Sequence, residues 1–167
     1  MEFWKLQQEN KSLGLKEGLD EFVTVYMPAR NFSKRTRQEY QSDLEDLVEF
    51  LENEGIKNWN VVSLRDLQRY QAELDYRGLA PSSRNRKTYT IKTFFNYLYQ
   101  ADHLREDPLK RLIPPHVPRK EPRFLRQEEY QALRAQIGNA RDRAIIEVFL
   151  QTGIEVSELV GLTLNDL

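Results

Sequence analysis

Residues 33–55 read SKRTRQEYQSDLEDLVEFLENEG, and their spacing decides the fold. Tyr40, Leu44, Leu47, Val48 and Leu51 fall at i, i+4, i+7, i+8 and i+11, which is one face of an α-helix. Ser33 is placed to cap its start and Gly55 to end it. Asp43, Glu45, Asp46, Glu49, Glu52 and Glu54 form an acidic run that the pattern assigns to the solvated outer face of this helix. The same period recurs upstream in Leu15, Leu19, Phe22, Val23 and Tyr26, which predicts a helix ending near Pro28. Downstream, Ser63 caps a helix carrying Leu64, Leu67 and Leu74, with Asp66 at the capping-box position and Gly78 as its stop. Pro81 opens a fourth helix, with Ile91, Phe94, Phe95 and Leu98 as its core stripe and its end near Ala101. No stretch before the linker alternates with period two, so the expected fold is all-α, a four-helix bundle.

Proline sets the domain boundary. Five of the seven prolines, Pro108, Pro114, Pro115, Pro118 and Pro122, fall within 15 residues, and each removes a backbone donor and fixes φ. Residues 109–123 are therefore expected to form an extended linker, partly polyproline II, between a domain at 1–108 and a shorter piece at 124–167. In that second piece, 127–137 reads as a short helix around Tyr130, Leu133 and Ile137. Arg143 to Leu150 reads as a more apolar helix ending at Gly153, and Ser157 to Val160 as a helical turn. Leu162-Thr163-Leu164 reads as the start of a strand.

Composition narrows the class. The chain has 167 residues, 31% of them charged, and no run approaches the ~20 apolar residues of a membrane span. Aromatic residues make up 11% and are spread along the chain, too many for a disordered tail. The absence of Cys removes disulfides, thiolate metal sites and thiol nucleophiles. Met1-Glu2-Phe3-Trp4-Lys5 has no apolar run behind it, so no signal peptide and no membrane contact are expected, and the cytoplasm is the expected location.

The net charge of -1 conceals a sorting of charge along the chain. Arg77, Arg84, Arg86, Lys87 and Lys92 occur with no acid among them, and Lys110, Arg111, Arg119, Lys120, Arg123 and Arg126 face only Glu121. Enzyme motifs are scarce. His116-Val117-Pro118-Arg119 sits in the proline-rich linker, His103 stands alone beside Asp102, and no Gly-rich phosphate loop or metal-ligand spacing is present, so neither cofactor nor metal is expected. Ser82, Ser83, Arg84, Asn85, Arg86 and Lys87 instead occupy the first turns of a predicted helix, where hydroxyls, an amide and cations adjoin exposed backbone N–H groups. That combination suits phosphate. Lys34, Arg35, Thr36 and Arg37 repeat it at the start of another helix. Two readings of these turns stand: a duplex-DNA contact surface, or an ordinary basic face paired with the acidic helix.

An ordered set of motifs adds a resemblance. Thr36-x-x-x-Tyr40-x-x-Asp43-Leu44 is followed by Gly78-Leu79-Ala80-Pro81-Ser82-Ser83-Arg84-Asn85-Arg86, then Phe94-Phe95-Asn96-Tyr97-Leu98 and Asp107-Pro108. Pro122-Arg123-Phe124-Leu125, Glu128-Glu129, Arg141-Asp142-Arg143-Ala144-Ile145-Ile146 and Thr152-Gly153-Ile154-Glu155-Val156-Ser157-Glu158-Leu159 complete the series. In order and spacing, residues 15–167 resemble the tyrosine recombinases, or phage integrases. The resemblance implies a SAM-like core-binding domain that forms half of a clamp on duplex DNA, with residues 34–37 and 82–87 at its DNA-facing positions. It further implies a linker crossing the DNA, then a metal-free catalytic domain in which arginines and a lysine stabilise charge at phosphorus while a tyrosine attacks it.

Two departures limit what carries over. The family's Thr-Gly-hydrophobic-Arg-x-Ser-Glu-Leu motif has Glu155 in place of Arg, and a carboxylate repels phosphate oxygens. The last tyrosine is Tyr130, upstream of that motif, so no residue stands at the nucleophile position within these 167. Glu158 matches a supporting acid of the family and equally suits a helix N-terminus. The expectation is thus the DNA-binding portion of a recombinase, catalytically incomplete as it stands. The alternative is an interaction module that pairs with or inhibits full-length recombinases without needing DNA. The apolar residues of 144–150 lead to a further expectation, self-association centred on Ile145, Phe149 and Leu159.

Overall fold

The computed structural model describes residues 12–106, 108–119, 121 and 123–166, and these divide into two compact units, one ending at Arg119 and one beginning at Lys120. The Met1-to-Lys5 stretch discussed above lies outside the described residues, as do Asp107, Lys120 and Pro122. Among the described residues no strand forms, only an isolated bridge between Gly14 and Asn58.

Unit 1 contains α1 (Leu15–Glu21), α2 (Lys34–Asn53), α3 (Leu64–Tyr76) and α4 (Pro81–Gln100), as the periodicity predicts. The chain leaves α1 through a π-helical turn at Phe22–Tyr26 and a last helical turn at Met27–Ala29. Pro28 has no N–H to give to the preceding turn, which favours the widened turn there. Ser33 caps α2 by accepting from the Thr36 N–H at 3.1 Å, and Ser63 and Asp66 close the expected capping box on α3.

Four helical segments of unit 1 end in one way. A left-handed residue, Asn31, Gly55, Gly78 or Asp102, is followed by a residue whose N–H reaches back to a buried one: Phe32 to Met27, Ile56 to Leu51, Leu79 to Leu74 and His103 to Leu98. Each stop thus satisfies an orphan carbonyl and drives the chain back toward the core. The glycines announce two of these stops. Asn31 and Asp102 serve because their short polar side chains tolerate the left-handed region.

An aromatic cluster lies within a core otherwise built largely of leucine. Trp59, Phe94 and Phe95 pack edge to face with centroids 4.7 to 5.9 Å apart, and Phe22 joins Phe94 at 5.1 Å. The Trp59 indole donates to the Leu15 carbonyl at 3.0 Å, and its backbone N–H to Leu13 at 3.1 Å, which ties the chain entering α1 to the α2–α3 connection. Asn60 extends the tie: its amide oxygen accepts from Leu13 N at 3.1 Å and its amide nitrogen donates to the His103 carbonyl at 2.9 Å.

The segment expected to be extended from residue 109 begins with a 3-10 turn, Pro108–Arg111, and Leu109 and Leu112 are buried in the core of unit 1. Beyond it the chain is irregular through the remaining prolines. Burial of two leucines compensates a short turn that the proline count alone would not favour.

Unit 2 contains α5 (Gln127–Ala135), α6 (Ala140–Thr152) and α7 (Val156–Gly161). Asn139 caps α6 through the Asp142 N–H at 2.8 Å, and Gly153 ends it with φ +67. The strand expected to begin at Leu162-Thr163-Leu164 does not form. Thr163 donates from its N–H and its hydroxyl to the Asp166 carboxylate at 2.8 and 2.7 Å, and Leu164–Asp166 closes a 3-10 turn. Such a cap offers the backbone a local partner and removes the need for a neighbouring strand.

Close packing at Trp59 gives a direct test. A Cβ on Gly18 would lie 2.7 Å from Trp59 Nε1 and 2.8 Å from its Cδ1, against a ring held by its own hydrogen bond. We expect Gly18→Ala to destabilise unit 1 by about 1–3 kcal/mol in urea denaturation despite the better helix propensity of alanine.

Candidate nucleic-acid interface

The acidic helix and the basic helix meet. In α2, Glu45, Glu49, Glu52 and Glu54 are exposed as the periodicity predicts, but Asp43 is 2% exposed and Asp46 is half-buried. The assignment of the whole run to the solvated face is therefore corrected for these two. The signal was in the register: Asp43 lies three residues after Tyr40 and four before Leu47, on the core stripe itself.

Asp43 is held by α4. Arg86 grips it with two nitrogens, Nη1 to Oδ2 at 2.6 Å and Nη2 to Oδ1 at 3.0 Å, while the Thr90 hydroxyl donates at 3.0 Å and Lys87 Nζ stands at 3.2 Å. Asp46 accepts from Lys87 Nζ at 2.8 Å, Arg77 Nη1 at 2.7 Å and the Tyr70 hydroxyl at 3.0 Å. Two carboxylates thus meet three cations, with one positive charge left over. Arg77, Tyr70 and Thr90 were not candidates from sequence, and only the burial of Asp43 and Asp46 reveals them.

Burial raises the Asp46 carboxyl, but the hydrogen bonds from Arg77, Lys87 and Tyr70 outweigh it and hold the group below the ordinary aspartate value of 3.8. Burial and the charge of Asp46 push the Tyr70 phenol far above its usual range, so it remains a donor.

The other candidate residues fall into three groups. Lys34 and Arg35 are exposed in the first turn of α2, with Arg35 paired to Glu39 at 3.1 Å, and Arg37 is half-buried with its Nε unpartnered. Thr36 shares a hydrogen bond of 2.8 Å with the Ser33 hydroxyl and belongs to the cap. In α4, Ser82 is exposed and Ser83 half-buried in a first turn that has Ala80 at the capping position and no side chain accepting from it, unlike α2, α3 and α6. That end is open to an anion.

Arg84 is paired with Asp75 at 2.7 Å, and Asn85 donates to the Pro115 carbonyl at 2.9 Å. Gln71 donates in the same direction, to Ile113 O at 3.2 Å, so Asn85 engages the linker strand rather than standing free. Among the described residues no hydrogen bond or ion pair joins the 34–37 turn to the 82–87 turn.

Charge is also sorted across unit 1. A groove of about 430 Å³ between α1 and α2 is lined by Asp20, Glu45, Glu49 and Glu52, with Lys16 paired to Glu52 at 3.0 Å. A groove with that lining repels phosphate. In unit 2, the Glu155 N–H donates to the Glu158 carboxylate at 2.7 Å, which makes Glu158 the first-turn acid that caps α7. Glu155 itself is exposed at the helix start, with no cation paired to it among the described residues.

Comparison with known proteins bears on the family and the fold. Residues 19–102 match the family described as "Phage integrase, N-terminal SAM-like domain". Tyrosine recombinase XerC of Staphylococcus aureus (strain USA300 / TCH1516) is 35% identical over 153 residues, covering 89% of this chain and 51% of the relative. The chain thus spans about half the length of the curated relatives it matches. Among solved structures, a lambda integrase tetramer bound to a Holliday junction superposes with a TM-score of 0.78 at 16% identity, over 98% of this chain and 47% of that one. The N-terminal domain of a phage integrase/site-specific recombinase from Haloarcula marismortui gives 0.58 at 20% identity, over 62% and 98%.

The network makes stability depend on acid. The folded-state pKa of Asp46 lies below its unfolded value of 3.8, so its contribution is complete above that value and is lost as pH falls through the lower folded value. Urea midpoints measured from about pH 6 to about pH 2 are expected to fall for the natural chain below ~4. Asp46→Asn, with nothing left to protonate there, is expected to start lower and to fall less.

Proposed function

The chain belongs to the phage integrase family, the tyrosine recombinases, and we propose that unit 1 binds recombination-site duplex DNA through the N-terminal turns of α2 and α4. The observation that carries the proposal is the start of α4. Its first turn lacks a side-chain cap, displays Ser82 and Ser83, and has the outward-facing Arg86, 46% exposed, one turn further on. Backbone N–H groups, hydroxyls and a guanidinium on successive turns of one helix are the groups that bind phosphate. Lys34 and Arg35, both exposed at the start of α2, supply further backbone contacts. The net charge of -1 is no obstacle, because charge is sorted locally: four acids line the α1–α2 groove, while Arg77, Arg84, Arg86, Lys87 and Lys92 occur with no acid among them in the sequence.

Residues 1–167 are proposed to bind without cutting. Glu155 occupies the position at which the family resemblance expects a phosphate-clamping arginine, and within these 167 residues the last tyrosine is Tyr130. A carboxylate at that place opposes the negative charge that builds in the transition state.

A second reading draws on unit 2. None of the side chains of α5, α6 or α7 is fully buried, and Ile145, Ile146, Val148, Phe149 and Leu150 remain half-exposed along α6. Val156 and Val160 stand exposed on α7. An apolar surface of this kind calls for cover, and a second copy or a full-length recombinase supplies a matching one.

Three measurements bear on these readings. With about five phosphate contacts, duplex binding followed by fluorescence anisotropy is expected to show a log–log salt slope of roughly -4 to -5, and Lys34→Ala with Arg35→Ala to flatten it by about 2. A nicked suicide duplex is expected to trap no covalent adduct, even with Glu155→Arg. If binding disappears while sedimentation equilibrium shows concentration-dependent association that Phe149→Glu abolishes, the pairing module is the correct reading.

A further inference from the structure

The contact between Asp43 and Arg86 places a carboxylate directly behind a cation of the proposed phosphate site. The carboxylate is 2% exposed and the guanidinium 46%, so the pair has a buried side and an open side. Arg86 spends two of its five N–H donors on Asp43, and the other three have no partner among the described residues. Thr90 and Lys87 hold the carboxylate from the side of α4, which fixes its plane. Asp46 repeats the arrangement with Arg77, whose side chain is 43% exposed at the C-terminal end of α3.

We propose that Asp43 is a positioning residue for DNA: it holds the Arg86 guanidinium in one orientation, with its free edge outward, so that a backbone phosphate of the duplex completes an Asp43–Arg86–phosphate bridge. This rests on the DNA reading given above and deepens it. The physical gain is in order. An unpaired arginine loses much rotamer freedom when it grips a phosphate, whereas a guanidinium already pinned by two hydrogen bonds loses little. Lys87, 11% exposed and shared by both carboxylates, is a counter-ion that allows the acids to be buried, so the phosphate contact in this pair of turns falls to Arg86.

The sign of one substitution separates this proposal from simple charge. Asp43→Asn removes a negative charge beside the bound phosphate, so Coulomb attraction alone predicts tighter binding. Positioning predicts weaker binding. Arg86→Lys keeps the charge and loses the planar fork, so charge alone predicts no change and positioning again predicts a loss.

The experiment is duplex binding by the 167-residue chain, with the salt slope taken for each variant and thermal melting recorded beside it. We expect Asp43→Asn and Arg86→Lys each to weaken binding about five- to tenfold and Asp43→Asn to reduce the slope by about 1, because the contact is lost. A merely structural role would lower the melting temperature of Arg86→Lys and leave its affinity, measured well below the melt, as in the natural chain. That result overturns the proposal, and so does Asp43→Asn binding as tightly as the natural chain or more so. If Asp43→Asn does not fold, Arg86→Lys decides alone. Absence of salt-dependent binding by the natural chain would instead overturn the DNA reading, and this one with it. Full binding by both variants, together with loss in Lys34→Ala, would leave the DNA reading intact and remove only Asp43.

Discussion

A carboxylate with 2% exposure governs how the helices of unit 1 meet. An isolated charge removed from water is costly, and Asp43 is tolerable only because Arg86, Lys87 and Thr90 all reach it from α4. Those three residues fall within two turns of one helix, so the requirement fixes both the rotation of α4 about its axis and its register against α2. Apolar packing alone is more forgiving, since the leucines of α2 can slide by a methyl group at modest cost. The ion pairs therefore specify the arrangement, and the buried leucines together with the aromatic cluster around Trp59 and Phe94 supply the buried area that stabilises it.

The helices were legible because their punctuation is local. Ser33, Ser63, Gly55, Gly78 and Pro81 act on neighbours within a few residues, and each has the role the sequence suggested. Asn31 and Asp102 escaped notice because an ordinary polar residue in the left-handed region looks like any loop residue until its backbone is seen. The π-helical turn at Phe22–Tyr26 shifts the stripe beyond α1 by one residue, so that Met27, five residues after Phe22, is fully buried while Val23 and Tyr26 are only half-buried, which a regular helical period does not predict. Leu162 to Leu164 misled for a related reason: alternation over three residues is too short to outweigh a Thr163–Asp166 cap.

The candidate site was legible in composition and not in role. Runs of Arg and Lys mark a basic surface, but sequence does not tell which cations face outward. Lys87 and Arg84 are largely spent on Asp46 and Asp75, Asn85 on Pro115, and the outward cations at α4 and the end of α3 are Arg86 and Arg77. Of the two readings weighed from sequence, a DNA surface and a basic face paired with the acidic helix, the structure shows the pairing, and its excess cation is what remains for the phosphate contact proposed above. Pairing determines which donors stay free and how firmly they are aimed.

The amide contacts of Gln71 and Asn85 extend the same logic to the linker. Both donate to carbonyls of residues 113–115, just beyond the buried Leu109 and Leu112, so the proline-rich strand is fastened to α3 and α4 for its first residues. Prolines make this fastening economical. Pro115 presents a carbonyl without a competing N–H group, and the fixed φ of Pro114 and Pro115 leaves less chain entropy to lose on docking. Asn85 lies next to Arg86 in sequence, one side chain directed to the linker and the other to Asp43. A single turn of α4 thus anchors the linker and aims a cation, and a change in the strand's attachment would be felt at the proposed phosphate contact through one residue of helix rather than across the unit.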